Sequence, residues 1–317
     1  MTPSAPSACR LCGSDRSRPY LARVYAHAGV AYDLRRCVEC GLVFVHPFPE
    51  LATLRGFYTE RYFHCDFSCG VRSGSYLETE KSRVEEYREA LREIQARKPA
   101  GRLLEVGCAA GSFLNYARRA GFETAGVDIS DWAVETARSQ FGLDVRRGRL
   151  QEARLPDQSF DVVFLGDLLE HEPEPVGFLR EVGRVLKDDG LVAIKVPVYV
   201  NSFYYRFLRR LPWQWTLGKF DLRLLHALKL HTAGGELPPY HLFEYSPRTL
   251  GRLCESAGLK VIARKNSLLV PEFLSRDSRR LSDRLVLFGF RQLKRLVALF
   301  NFHGGHVMVF AVKQGAG

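Results

Sequence analysis

Between residues 100 and 200, short apolar runs alternate with amphipathic stretches. Residues 102–106 (RLLEV), 123–128 (ETAGVD), 144–148, 160–166 (FDVVFLG) and 190–196 (GLVAIKV) have the length and continuity of buried strands. Residues 112–121 (SFLNYARRAG), 131–140 and 174–187 space their apolar positions as helices do. Strand alternating with helix predicts a doubly wound α/β sheet. Upstream, a charged helix is expected over about 75–96, ended by Lys98-Pro99-Ala100-Gly101, and LARVYAHAGVAYDLRRC reads as two strands folding back at Ala28-Gly29. Residues 306–313 (HVMVFAVK) read as a final strand.

Four of the eight cysteines form two C-x-x-C-G signatures, Cys9-Arg10-Leu11-Cys12-Gly13 and Cys37-Val38-Glu39-Cys40-Gly41. The two-residue gap lets both thiolates reach one ion, and the glycine permits the turn that aims backbone N–H groups at sulfur. The hairpin between them would bring the pairs together, so a zinc ribbon is expected over about 1–48, its metal tetrahedral and structural. So short a segment buries little core, whereas a structural zinc contributes on the order of 10–16 kcal/mol to folding. Four unrelated thiols or two redox pairs are the alternative. Cys65 and Cys69 with His64 form a looser cluster, read as a loop at the site entrance or as an additional metal site.

The first strand of the α/β pattern runs into Gly107-Cys108-Ala109-Ala110-Gly111. A strand, a glycine turn and a helix place backbone N–H groups and a helix N-terminus at the C-terminal edge of a parallel sheet. Asp128 ends the next strand, about 20 residues further on, where a carboxylate can accept hydrogen bonds from both hydroxyls of a ribose. Glu105 would oppose a pyrophosphate, so a cationic ligand without phosphates suits this turn better.

On these residues the chain resembles the class I S-adenosylmethionine (SAM) dependent methyltransferases. LLEVGCAAGSFL is similar to their first motif and GVDIS to their ribose-binding motif, and FDVVFLGDLLEHEPEP with FLREVGRVLKDDGLVAIKVP is similar to the fourth and fifth. The resemblance implies a Rossmann-like sheet of seven strands, the last one antiparallel beside the sixth. A helical connector is expected at 49–99 and a methyltransferase domain at 100–317, with an acceptor lid at about 198–245. By the same resemblance Gly107, Ala109 and Gly111 would form the turn against the methionine part of SAM, oriented with help from Glu105. Asp128 would hold the ribose, Ile129 would pack on adenine, and Gly166 and Asp167 would pass beside the methionine. Arg149 stands where many relatives carry an acidic residue reaching the adenine amine, which leaves the backbone at Leu150 for that contact.

Methyl transfer is an in-line displacement at a carbon already activated by the sulfonium, so alignment comes first and a general base adds roughly 10²–10⁴-fold where one is needed. In LLEHEPEP, His171 has a positioning or capping role or acts as that base. PPYHLFEYSP resembles the H-x-x-x-(Y/F)-S element of zinc-ribbon methyltransferases, some of which methylate nucleotide-linked deoxysugars. The resemblance makes His241 a base or acceptor ligand and Tyr240 its helper; helix capping or core packing is the structural alternative. Sugar C-methyltransferases tend to carry Glu where this chain has Tyr240.

Composition bounds the partners. With 46% hydrophobic and 26% charged residues over 317 positions, the chain has a soluble, folded composition sized for about two domains. No run approaches the roughly 18 apolar residues of a membrane helix and MTPSAPSACRLCGS lacks a signal's apolar run, so a cytoplasmic protein with reduced thiols is expected. The net charge of +11 is unevenly placed: 15 basic and 12 acidic residues in 1–100, 12 and 16 in 101–200, 19 and 7 in 201–317. A nucleic-acid track would not be so confined, and Gly166-Asp167-Leu168-Leu169 stands where base-flipping enzymes carry N-P-P-Y or D-P-P-Y. The expected acceptor is therefore small or carrier-linked and anionic, in sugar, cell-envelope or natural-product biosynthesis, methylated at oxygen, nitrogen or carbon. Arg206, Arg209 and Arg210 beside Tyr204, Tyr205, Trp213 and Trp215 would receive it. An RNA or ribosome methyltransferase and a non-catalytic SAM-binding scaffold are the rival readings. A helix at 279–300 would gather Arg280, Arg284, Arg291 and Arg295 on one arc, a solvated stripe or a contact for an anionic membrane or a partner.

Overall fold

Apolar side chains alternate faces along β4 (Arg102–Val106), β7 (Phe160–Gly166) and β8 (Leu186–Pro197), and this alternation builds two cores on one sheet. Leu103, Val162, Phe164, Leu191 and Ala193 enter one core; Leu104, Val106, Val163, Leu165, Val192 and Ile194 enter the other. Both faces are covered, so the strands read as unbroken apolar runs. The computed structural model describes residues 8–58, 62, 83–202, 205, 238–267, 288, 292, 295 and 305–315. Among these, no helix is long and apolar enough to cross a membrane. The His64, Cys65 and Cys69 cluster, most of the expected lid with its arginines and tryptophans, and most of 279–300 lie outside the described residues.

The remaining elements are β1 (Ser17–His27), β2 (Val30–Cys37), β3 (Val43–His46), α1 (Leu51–Arg55), α2 (Val84–Gln95), α3 (Ser112–Arg119), β5 (Glu123–Asp128), α4 (Asp131–Phe141), β6 (Val145–Arg147), α5 (Pro175–Val185), β9 (Phe243–Glu244), α6 (Pro247–Ser256), β10 (Leu259–Ser267) and β11 (His306–Lys313). Seven strands form a sheet in the order β10-β11-β8-β7-β4-β5-β6, parallel except for β11, which runs against both neighbours. The chain moves outward from β4 through β5 to β6, then crosses back to β7. The crevice between the ends of β4 and β7 is thus the place where open α/β sheets bind ligands. α2 is observed where the sequence predicts a helix, while its expected first residues, 75–82, lie outside the described set. α5 ends at Val185, earlier than the spacing predicts, because Leu186 already pairs with Phe160.

The hairpin expected at Ala28-Gly29 is present, with φ of 50° and 77° at the two turn residues. A second sheet, β1-β2-β3-β9, adds a strand from far along the chain: β3 pairs antiparallel with β9, Val43 opposite Glu244 and Phe44 opposite Phe243. Leu34, Leu42, Val43 and Val45 are fully buried in the same core as Val192 and Ile194 of the large sheet. At roughly 1.5–3 kcal/mol for each side chain so buried, the N-terminal sheet is anchored by shared core as well as by its cysteines.

Candidate active site

The four ribbon cysteines converge. One sulfur from each of Cys9, Cys12, Cys37 and Cys40 lies within 4.8 Å of the others, with Cys9 to Cys40 at 3.5 Å and Cys12 to Cys37 at 3.6 Å. Four thiolates about 2.3 Å from a tetrahedral zinc would stand roughly 3.8 Å apart, so the site fits that ion. The knuckles are alike: Gly13 N–H donates to Cys9 O at 2.8 Å, Gly41 N–H to Cys37 O at 3.2 Å, and both glycines have positive φ, 73° and 82°. The neighbouring Cys40 thiol, against the opposing effect of burial, and the Leu11 and Cys12 N–H groups hold the Cys9 thiol down at about 5.

At the crevice, Glu105, Gly107, Gly166 and Asp167 line an open cleft together with Arg83 and Lys195. Left-handed backbone shapes its floor, with φ of 73° at Gly107, 46° at Ala109 and 83° at Gly111. A Cβ on Gly107 would meet Leu168 Cδ1 at 2.8 Å, so the loops after β4 and β7 touch here. A Cβ on Gly111 would meet Leu143 Cδ1 at 2.6 Å and Ala137 Cβ at 3.0 Å. Overpacking and left-handed strain together predict that Gly111→Ala lowers unfolding free energy by about 2–5 kcal/mol, read by urea denaturation. An unchanged midpoint would show that the loop relaxes freely.

Asp128, 8% exposed, ties this floor to the next strand: Oδ2 accepts from Ala109 N at 2.8 Å and Oδ1 from Ser130 N at 2.9 Å. Burial pushes its carboxyl up, and the N–H groups of Ser130, Ala109 and Ile129 oppose that. Beside it the Ile129 side chain is exposed, an apolar surface next to Asp128. The Leu150 side chain is buried in the core, so only its backbone can face a ligand. Arg149 turns its guanidinium to Glu172, 2.6 Å away.

A network the sequence did not disclose surrounds Asp167. Arg83 donates to its Oδ2 at 2.7 Å, Lys195 Nζ lies 3.2 Å from the same atom, and His306 Nε2 lies 3.2 Å from Oδ1. Burial alone would raise the Asp167 carboxyl, but Lys195, His306 and Arg83 outweigh it and hold it well below the usual range. Lys195 also pairs with Glu86. The cleft around Asp167 is thus mixed in charge, not simply acidic. The one available signal was Lys195 itself, a lone charge inside the apolar run of β8.

The three expected catalytic residues come together. His171 ends a short 3₁₀ turn (Leu169–His171) just after β7; His241 precedes β9. Their ring centroids stand 5.0 Å apart, edge to face. Backbone bonds fix the two segments: Leu242 N–H donates to Glu170 O at 2.8 Å, and Val45 N–H of β3 donates to Leu242 O at 3.0 Å. His171 Nδ1 lies 2.7 Å from the Tyr240 carbonyl, so that ring nitrogen donates and Nε2 turns toward Glu170 Oε1, 3.8 Å away. His241 Nδ1 lies 3.7 Å from Oε1 of the buried Glu244. Tyr240 positions His171 through its carbonyl, while its ring packs against Phe57, Tyr58 and Tyr62. Glu170 is 1% exposed; burial and then the negative charge of Asp167 and Glu244 raise its carboxyl well above the usual range.

A family model described as "Methyltransferase domain" matches residues 76–264. The ubiquinone biosynthesis O-methyltransferase of Neisseria meningitidis serogroup C is 29% identical over 170 residues, covering 50% of this chain and 64% of that protein. A probable S-adenosylmethionine-dependent methyltransferase of Mycolicibacterium smegmatis is 32% identical over 148 residues, covering 45% and 55%. The matches thus span less than two thirds of these curated relatives. A SAM-dependent methyltransferase structure from Archaeoglobus fulgidus aligns with 75% of this chain and 99% of its own at a TM-score of 0.49 and 22% identity. With the family match spanning more than half of the chain, around a glycine turn, a strand-end carboxylate and a cleft at the β4–β7 crossover, this chain belongs to the methyltransferase-domain family.

Proposed function

We propose that the chain methylates a hydroxyl oxygen of a small or carrier-linked acceptor, with His171 and His241 meeting that oxygen. The convergence of the two imidazoles beside the 3₁₀ turn that leaves β7 carries this reading. SAM, when bound, supplies a methyl group activated by the sulfonium. Asp128 would hold its ribose, Ile129 its adenine, and the turn Gly107, Ala109 and Gly111 would lie along the methionine. The mixed charges at that end suit a zwitterion: Arg83 and Lys195 for a carboxylate, Glu105 for an ammonium group. Oxygen is favoured as the acceptor atom because the Neisseria relative is named an O-methyltransferase. An anionic acceptor is favoured by the excess of 19 basic over 7 acidic residues in 201–317. Zinc at the four cysteines has a structural part, holding the sheet that carries β9.

His241→Ala is expected to reduce formation of S-adenosylhomocysteine by roughly 10²-fold or more while SAM affinity, measured by calorimetry, stays nearly constant. The acceptors to screen are phenols, catechols and sugar hydroxyls, each with and without an anionic group. Equal loss of SAM binding would make His241 structural, and unchanged turnover would remove it from the acceptor site.

A further inference from the structure

We propose that Glu170, His171 and His241 form a second metal site, separate from the four cysteines, for a first-row divalent cation; its part in catalysis rests on the acceptor reading above. One ligand atom from each of the three lies within 4.8 Å of the others. Two imidazoles and one carboxylate, with positions left open, suit Mn²⁺, Fe²⁺, Co²⁺ or Zn²⁺ better than Mg²⁺ or Ca²⁺, which prefer oxygen alone.

The surroundings single out Glu170. Four acids lie between 167 and 174, and three of them have cationic partners: Asp167 has Arg83 and Lys195, Glu172 has Arg149, and Glu174 has Arg10. Glu170 instead faces the histidine pair, and its Oε2 is buried without a hydrogen-bond partner among the described residues. A buried carboxyl oxygen left without a partner is costly whichever its protonation, and a cation beside it supplies the partner. His171 is held as metal-binding histidines are, by an acceptor at the second ring nitrogen, here the Tyr240 carbonyl at 2.7 Å. For His241 the buried Glu244 carboxylate lies 3.7 Å from Nδ1, beyond hydrogen-bond distance but near enough for electrostatic attraction. The Leu242 to Glu170 backbone bond locks the ligand-bearing segments in register whether or not an ion is bound.

An ion with three protein ligands leaves room for an acceptor hydroxyl and favours loss of its proton to solvent. The acceptor oxygen then forms its bond to the methyl carbon as the carbon–sulfur bond breaks. The electron pair of that bond goes to sulfur, which leaves as the neutral thioether of S-adenosylhomocysteine.

Co²⁺ is the probe. The full chain is dialysed against a chelator under conditions that keep one zinc per chain, counted by atomic emission, and then titrated with Co²⁺. The expected result is one Co²⁺ per chain, seen as visible d–d absorption without the near-ultraviolet thiolate charge-transfer band. His171→Ala, His241→Ala and the conservative Glu170→Gln should each weaken it by about tenfold or more. SAM affinity and circular dichroism, measured on the same samples, report folding and cofactor binding separately. Absence of the d–d bands, bands of thiolate type only, or equal Co²⁺ affinity in all three variants would overturn the site. Co²⁺ binding of the expected kind, with turnover indifferent to its removal, would support the site and overturn the acceptor reading.

Discussion

Asp128→Ala is expected to weaken SAM binding by about 10²–10⁴-fold. The carboxylate sits at the end of β5 with one oxygen on Ala109 N and the other on Ser130 N, so it shapes the glycine turn and keeps further lone pairs for a ribose. Hydrogen bonds to a charged group are worth roughly 1.5–3 kcal/mol each, and two to the ribose amount to about 3–6 kcal/mol. Asp128→Asn should lose most of this as well, since its amide nitrogen must face one of the two backbone donors. Calorimetric titration with SAM and S-adenosylhomocysteine checks it. A change of less than about fivefold in a folded variant would move the ribose elsewhere.

Stripping the zinc proposed at the four cysteines, or replacing Cys37 by Ser, is expected to abolish turnover while sparing much of the SAM affinity. A structural zinc contributes on the order of 10–16 kcal/mol, as much as a whole domain's margin of roughly 5–15 kcal/mol, so the ribbon should unfold without it. Unfolding would release β3, and with it the strand partner of Phe243 and Glu244 and the Val45 bond that follows His241. The residues proposed to hold SAM lie mainly at and just beyond the ends of β4, β5 and β7, which are braced by helices α2, α3 and α4 through the other core. Zinc content, turnover and SAM calorimetry on one stripped preparation test this together. Normal turnover with no zinc would show that the acceptor segment needs no support from the ribbon.

What the sequence disclosed was whatever depends on local spacing. The paired C-x-x-C-G signatures, the turn at 107–111 and Asp128 at a strand end are each set by residues within a few positions of one another. For the same reason the strand order was legible, since the alternation of strands and helices admits few topologies. The Asp167 network was not legible, because Arg83, Lys195 and His306 reach it from three segments with no fixed spacing. Nor was the strand pairing of β3 with β9, where only two residues on each side take part. Glu170 stood beside a histidine that had already drawn attention; only its lack of a Lys or Arg partner among the described residues, visible in three dimensions, sets it apart from Asp167, Glu172 and Glu174. Glu105 suggested a cationic ligand at the glycine turn, and the fold brings Arg83 and Lys195 into the same cleft.

The pairing of β3 with β9 also bears on the order of assembly. Joining Phe44 to Phe243 closes a loop of about 200 residues, an entropic cost that contacts elsewhere must already offset. During synthesis the ribbon emerges long before its fourth strand, so the edge of β3 is left with unpaired backbone groups while β4 to β8 are made. The acceptor site is then among the last parts to be completed. Refolding followed by two signals should show it: recovery of SAM binding ahead of recovery of turnover.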